Sequence, residues 1–119
     1  SYDQAETLIK LIDSGGLNDA SADAFFQSAS QISSSYDQAR VLRRAVDQSA
    51  MSDRILEGVL KSAARISSGH ERANLLEAVA NRARVNGNNR QLYVAAAKGL
   101  GSYDENRALA ALVRSEVRQ

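Results

Sequence analysis

The chain has 119 residues, enough for one domain and short for two. Its 15 Lys and Arg against 14 Asp and Glu single out neither an acidic nor a basic partner, and 44% hydrophobic residues exclude a disordered chain. With no Cys, disulfides, thiolate metal sites and Cys nucleophiles are excluded, and no apolar run reaches the roughly 18 to 20 residues of a membrane span. Pro is absent and Ala abundant, which favours helices over strands. A start at Ser1 rather than Met is expected of a processed or excised piece of a longer protein.

In chain order, the apolar periodicity predicts helices over 2–14, 19–32, 36–48, 53–66, 70–84, 89–99 and 103–117. Ser1-Tyr2-Asp3-Gln4-Ala5 recurs unchanged as Ser35-Tyr36-Asp37-Gln38-Ala39, then decayed as Gly69-His70-Glu71-Arg72-Ala73 and Ser102-Tyr103-Asp104-Glu105-Asn106. The chain is therefore three repeats, 1–34, 35–68 and 69–101, followed by a half repeat, 102–119. Ser1-x-x-Gln4, Ser35-x-x-Gln38 and Ser102-x-x-Glu105 have capping-box form, and Asp3, Asp37, Glu71 and Asp104 suit a helix start. Gly15-Gly16, Ser49-Ala50-Met51-Ser52 and Asn86-Gly87-Asn88 separate the paired helices, with Ser52 a suitable N-cap.

Stacking the copies predicts the core. Position 8 reads Leu8, Leu42, Leu76, Leu109, and position 12 reads Ile12, Val46, Ala80, Val113. With positions 2, 5 and 11 these form one stripe of the first helix. In the second helix Phe25, Val59 and Tyr93 share a column, as do Phe26, Leu60 and Val94. Ile32, Ile66 and Leu100 form another, and position 29 is Ala in every copy (Ala29, Ala63, Ala97). One helix pair cannot cover its own stripe, so neighbours must supply the other wall. The expected fold is all-α: a right-handed α-solenoid of three and a half helix-turn-helix repeats, seven helices in one domain. The last helix is expected to cover the end, showing Arg107, Arg114, Glu116 and Arg118 to water.

The segment Ile32-Ser33-Ser34-Ser35-Tyr36-Asp37-Gln38-Ala39-Arg40-Val41-Leu42 resembles bacterial helical repeats of the form Ile-Ser-Ser-Asp-Tyr-Asp-x-x-x-Val-Leu, with Ser35 in place of the Asp. Such repeats include extracytoplasmic regions attached to BlaR1-like peptidase modules and other sensor-type proteins. The resemblance implies an accessory repeat region and an extracytoplasmic place. It does not imply a peptidase, because His70-Glu71-Arg72-Ala73-Asn74 lacks the second His of a zinc motif. Tetratricopeptide repeats share the period, but their Trp and Pro are missing here. Pentatricopeptide RNA readers share the length without visible base-reading positions, and HEAT-like or armadillo-like repeats are usually longer.

No catalytic or metal site is expected, and no cofactor. His70 is the only His and reads as a structural ring in the column of Tyr2, Tyr36 and Tyr103. Asp19 with Asp23, and Asp53 with Glu57, read as solvated acids near helix starts rather than a general acid–base pair. Gly15-Gly16 and Gly99-x-Gly101 are turns without the Lys of a phosphate loop. The tyrosines are expected to pack between repeats; base stacking on exposed rings is the other reading.

Charge sums of −4, +2, +3 and 0 over the successive repeats put the cations in the middle. Arg40, Arg43, Arg44 and Arg107 fall on one outer face, and Arg54, Lys61 and Arg65 on another; Arg suits bidentate contacts to carboxylate or phosphate. Local ion pairs, such as Asp47 with Arg43 or Arg44, explain part of this pattern. The expected function is a non-catalytic protein-interaction or structural scaffold, with Arg40, Arg43, Arg44 and Arg107 the first partner-facing patch and Arg54, Lys61 and Arg65 the second. Nucleic-acid binding through the basic middle repeats is the alternative, and a weak homodimer through open solenoid ends is allowed.

Overall fold

A computed structural model describes residues 2–48 and 51–118. Seven helices and no strand occur among the described residues: α1 (Tyr2–Asp13), α2 (Ala22–Ala29), α3 (Ser35–Asp47), α4 (Asp53–Ala63), α5 (Gly69–Arg82), α6 (Gly87–Lys98) and α7 (Ser102–Arg118). The helices alternate between two layers. In one layer α1 packs on α3, α3 on α5 and α5 on α7; in the other α2 packs on α4 and α4 on α6. Consecutive helices join the layers. The radius of gyration, 13.3 Å, is close to the roughly 13.5 Å expected for a compact protein of this length, so the helices form a globule and not an elongated rod.

The core lies between the layers. Ala5, Ala39 and Ala73 are buried, as are Ala29, Ala63 and Ala97, which lets neighbouring helices approach closely. Phe25, Val59 and Tyr93 fill the space beside them. Three columns differ from expectation: position 2, whose tyrosines are exposed, and positions 7 and 12. Position 7, outside the predicted stripe, is buried as Val41, Leu75 and Ala108 but exposed as Thr7. A helix inside a layer has neighbours on both sides, so its buried arc is wider than one stripe; among the described residues α1 packs in its layer on α3 alone, on the side away from Thr7. Position 12 shows the opposite end. Ile12, Val46 and Ala80 are buried while Val113 is 54% exposed, and Val117 beside it is exposed too. The outer side of α7 is thus partly apolar, not only charged as the sequence suggested.

The helix ends also shift. The caps are Ser34 and Ser68, whose hydroxyls accept from the amides of Asp37 and Glu71 at 3.2 Å; Ser35 is already the first helical residue. Ser1 lies outside the described residues. In α7 the Gly101 carbonyl takes the first helical bond from Glu105 at 2.8 Å. Ser52 caps α4 as expected. Of the second helices, α6 begins two residues earlier than predicted, at Gly87. Helices α2 and α4 end three residues earlier than predicted and α6 one residue earlier, because Ile32, Ile66 and Leu100 donate to Ala29, Ala63 and Ala97, three residues back, each at 3.1 Å. That tightened turn ends the α-helix while keeping the apolar side chain on the stripe. At the other end of α2, residues predicted helical form a turn in which Ser21 and Asn18 exchange side-chain bonds. The Gly15-Gly16 turn closes α1 as a Schellman motif. Gly16 donates to Leu11 and Gly15 to Ile12, with Gly15 at φ +82.

Candidate functional site: two cationic faces

The outer face of the first layer carries Arg40, Arg43 and Arg44 on α3. Arg107, on α7, is separated from them by α5. Each of the four is engaged within the molecule. Arg40 donates to Glu6 at 2.7 Å, lies 3.5 Å from Asp37 and stands over the Tyr2 ring at 5.4 Å. Its guanidinium is held above its ordinary pKa, first by the Glu6 hydrogen bond. Arg44 grips Asp13 through two bonds of 2.8 and 2.7 Å. Arg43 and Arg82 share Asp47, at 3.2 and 3.0 Å. Arg107 is the most enclosed: it donates to Asp104 and Asn74 at 3.0 Å, to Glu77, and to the His70 carbonyl at 3.3 Å. Burial acts to lower its pKa, and the hydrogen bonds and charges of Asp104 and Glu77 outweigh it, leaving it raised.

Arg40 with Glu6, and Arg107 with Asn74, bond across one repeat length in the same column. What reads in sequence as divergent surface is, in part, the stitching between repeats. Position 4 is a further stitch that sequence reasoning missed. Gln38 donates to the Ala29 carbonyl at 3.3 Å instead of completing a capping box. Arg72 donates to the Ile66 carbonyl at 2.9 and 3.2 Å and to that of Ala96 at 3.2 Å. It passes where a side chain on Gly99 would stand.

The tyrosines correct the packing expectation. Tyr2, Tyr36 and Tyr103 are 63%, 64% and 81% exposed, each on the first turn of its helix. His70, in the same column, is exposed and bonds Asn74 at 3.2 Å. The one enclosed tyrosine is Tyr93, whose hydroxyl donates to the Ala108 carbonyl at 2.7 Å; burial pushes its phenol well above its usual pKa.

Arg54, Lys61 and Arg65 come together on the second layer. They line an open groove of about 530 Å³ between α2 and α4, with Ala22, Phe26 and Gly58 at its base. Phe26 lies edge-on to Phe25 at 5.0 Å and covers Gly58, where an added Cβ would overlap the ring. Asp23 pairs with Arg54 across the groove at 2.8 Å and Glu57 with Lys61 at 2.9 Å; Asp23 stays largely exposed, so these ion pairs sit on a solvated face. The Lys61 hydrogen bond holds Glu57 below its ordinary pKa. Asp19 accepts from the Ser52 hydroxyl. Arg65 has no ion pair among the described residues and is exposed at the groove wall. Among the described residues no three His, Asp or Glu side chains come together as a metal site, and no helix is long and apolar enough to cross a membrane.

No family model, curated protein or solved structure matches this chain.

Proposed function

We propose that the chain is a non-catalytic interaction or scaffold module, a right-handed α-solenoid of helix pairs whose α2–α4 groove receives an acidic protein segment. The observation that carries this reading is Arg65, a cation without an ion pair among the described residues, on the wall of a groove with an aromatic base. Arg54, Lys61 and Arg65 against Asp23 and Glu57 leave one positive charge in excess there. The α3 arginines and Arg107 form a secondary surface, since their acids must be shared with any incoming carboxylate. Solenoids bind through exposed positions that vary over fixed buried columns, and positions 27 and 31 vary (Gln27, Lys61, Ala95; Gln31, Arg65, Gly99) over the constant Ala29 column. The resemblance to accessory repeats of sensor-type proteins agrees with this role.

The test is retention of proteins from a native extract by the immobilised domain, with nuclease and at two salt concentrations. Groove reversal (Arg54→Glu, Lys61→Glu, Arg65→Glu) should abolish retention of a nuclease-resistant partner while the helical circular dichroism is kept. Retention that disappears with nuclease, or falls steeply with salt, favours nucleic acid instead. Nuclease-resistant retention unchanged by reversal of both cationic faces would sink the proposal.

A further inference from the structure

Asn86 is the only Asn followed by Gly in this sequence. It is the N-cap of α6, with extended backbone (φ −141, ψ 175), exposed, and its side chain makes no capping bond. Gly87 stands at φ +53, with open space where a Cβ would be. Its amide belongs to the first helical turn, whose N–H groups have no intrahelical acceptor. Three other asparagines are held by hydrogen bonds. Asn18 accepts from the Ser21 amide, Asn74 bonds His70 and Arg107, and Asn89 is buried and donates to the Asp53 carbonyl.

From this coincidence of sequence and geometry we propose that Asn86 is a spontaneous deamidation site that alters the entrance of α6. The Gly87 amide nitrogen loses its proton and attacks Asn86 Cγ. The new bond from that nitrogen to Cγ closes a succinimide as the Asn86 Cγ–Nδ2 bond breaks and ammonia leaves. Water then opens the ring at one of its two carbonyls, giving Asp or isoaspartate; there is no redox change.

The products differ in consequence. Alone among the seven described helices, α6 has no acidic residue in its first turn, so Asp at position 86 adds the anion that the helix dipole favours. Isoaspartate lengthens the backbone by one methylene and replaces the Asn86 carbonyl, which accepts from the Arg90 amide at 3.2 Å, by a free carboxylate. It therefore loosens the start of the helix that carries Tyr93.

The test is peptide mass mapping of the folded protein held at mildly alkaline pH, beside a sample unfolded in urea. The expected result is a one-dalton gain at Asn86, several-fold faster than at Asn88, split into Asp and isoaspartyl isomers, at a folded-state rate within several-fold of the unfolded one. Gly87→Ala should slow it; because that position is strained for Ala, the comparison with Asn88 in the unaltered protein stands without it. A folded-state rate at Asn86 no faster than at Asn88, or one strongly suppressed relative to urea, would overturn the proposal.

Discussion

Residues of the same type do opposite work here, and burial decides which. Tyr93 donates to a buried carbonyl that also carries its own bond within α7, so Tyr93→Phe removes one buried hydrogen bond and should cost about 0.5–1.5 kcal/mol in urea unfolding. Tyr103→Ala should stay within about 0.5 kcal/mol, because its ring is already in water. Burial also sets an alkaline limit. The folded-state pKa of Tyr93 is raised, so its contribution is complete below the ordinary tyrosine value of about 10 and is lost as pH rises beyond it. A stability–pH profile should show this loss, and Tyr93→Phe should remove it. Glu116 has the opposite sign: the Arg90 hydrogen bond lowers its pKa, so its contribution is present above the unfolded carboxylate value and lost as pH falls through the folded one. Sequence alone could not separate these tyrosines. Their periodic positions are equally regular, and only the neighbouring helices determine which ring is covered.

At the scale of elements, existence and order of all seven helices were legible from the apolar columns, whereas the ends were not. Ile32-Ser33-Ser34-Ser35 offers adjacent serines as caps, and the choice falls on Ser34 because the tightened turn at Ile32 fixes where the backbone re-enters a helix. Ser34→Ala and Ser68→Ala should each cost about 1 kcal/mol, with Ser35→Ala well below that, measured by thermal or urea unfolding. Packing between α2 and α4 gives a sharper test. Gly58→Ala gains about 1 kcal/mol of helix propensity, yet its Cβ overlaps the Phe26 ring, and overpacking typically costs about 1–3 kcal/mol. The variant should be destabilised, and the same change in a Phe26→Ala background should become stabilising. Position 4 departs from its capping-box form for a physical reason as well. A Gln three residues after a Ser suits such a box, but Arg72 in the same column reveals the position's use, which is to satisfy carbonyls at the ends of second helices.

For the whole molecule, the alternation of the helices between two layers follows from two stripes that cannot be covered within one repeat. The cationic faces were legible as sets of arginines, but their internal pairing was not, since Glu6 and Arg40 stand 34 residues apart. That pairing ranks the surfaces. Reversal of Arg40 or Arg44 disturbs contacts between repeats, while Arg65 has no ion pair to lose among the described residues. The most direct measurement is therefore partner retention by Arg65→Glu beside Lys98→Glu, an exposed cation outside the groove, with unfolding curves for both. A groove that receives an acidic protein segment predicts unchanged stability in each, with nuclease-resistant retention lost in Arg65→Glu and kept in Lys98→Glu. Equal retention by the two variants would contradict it.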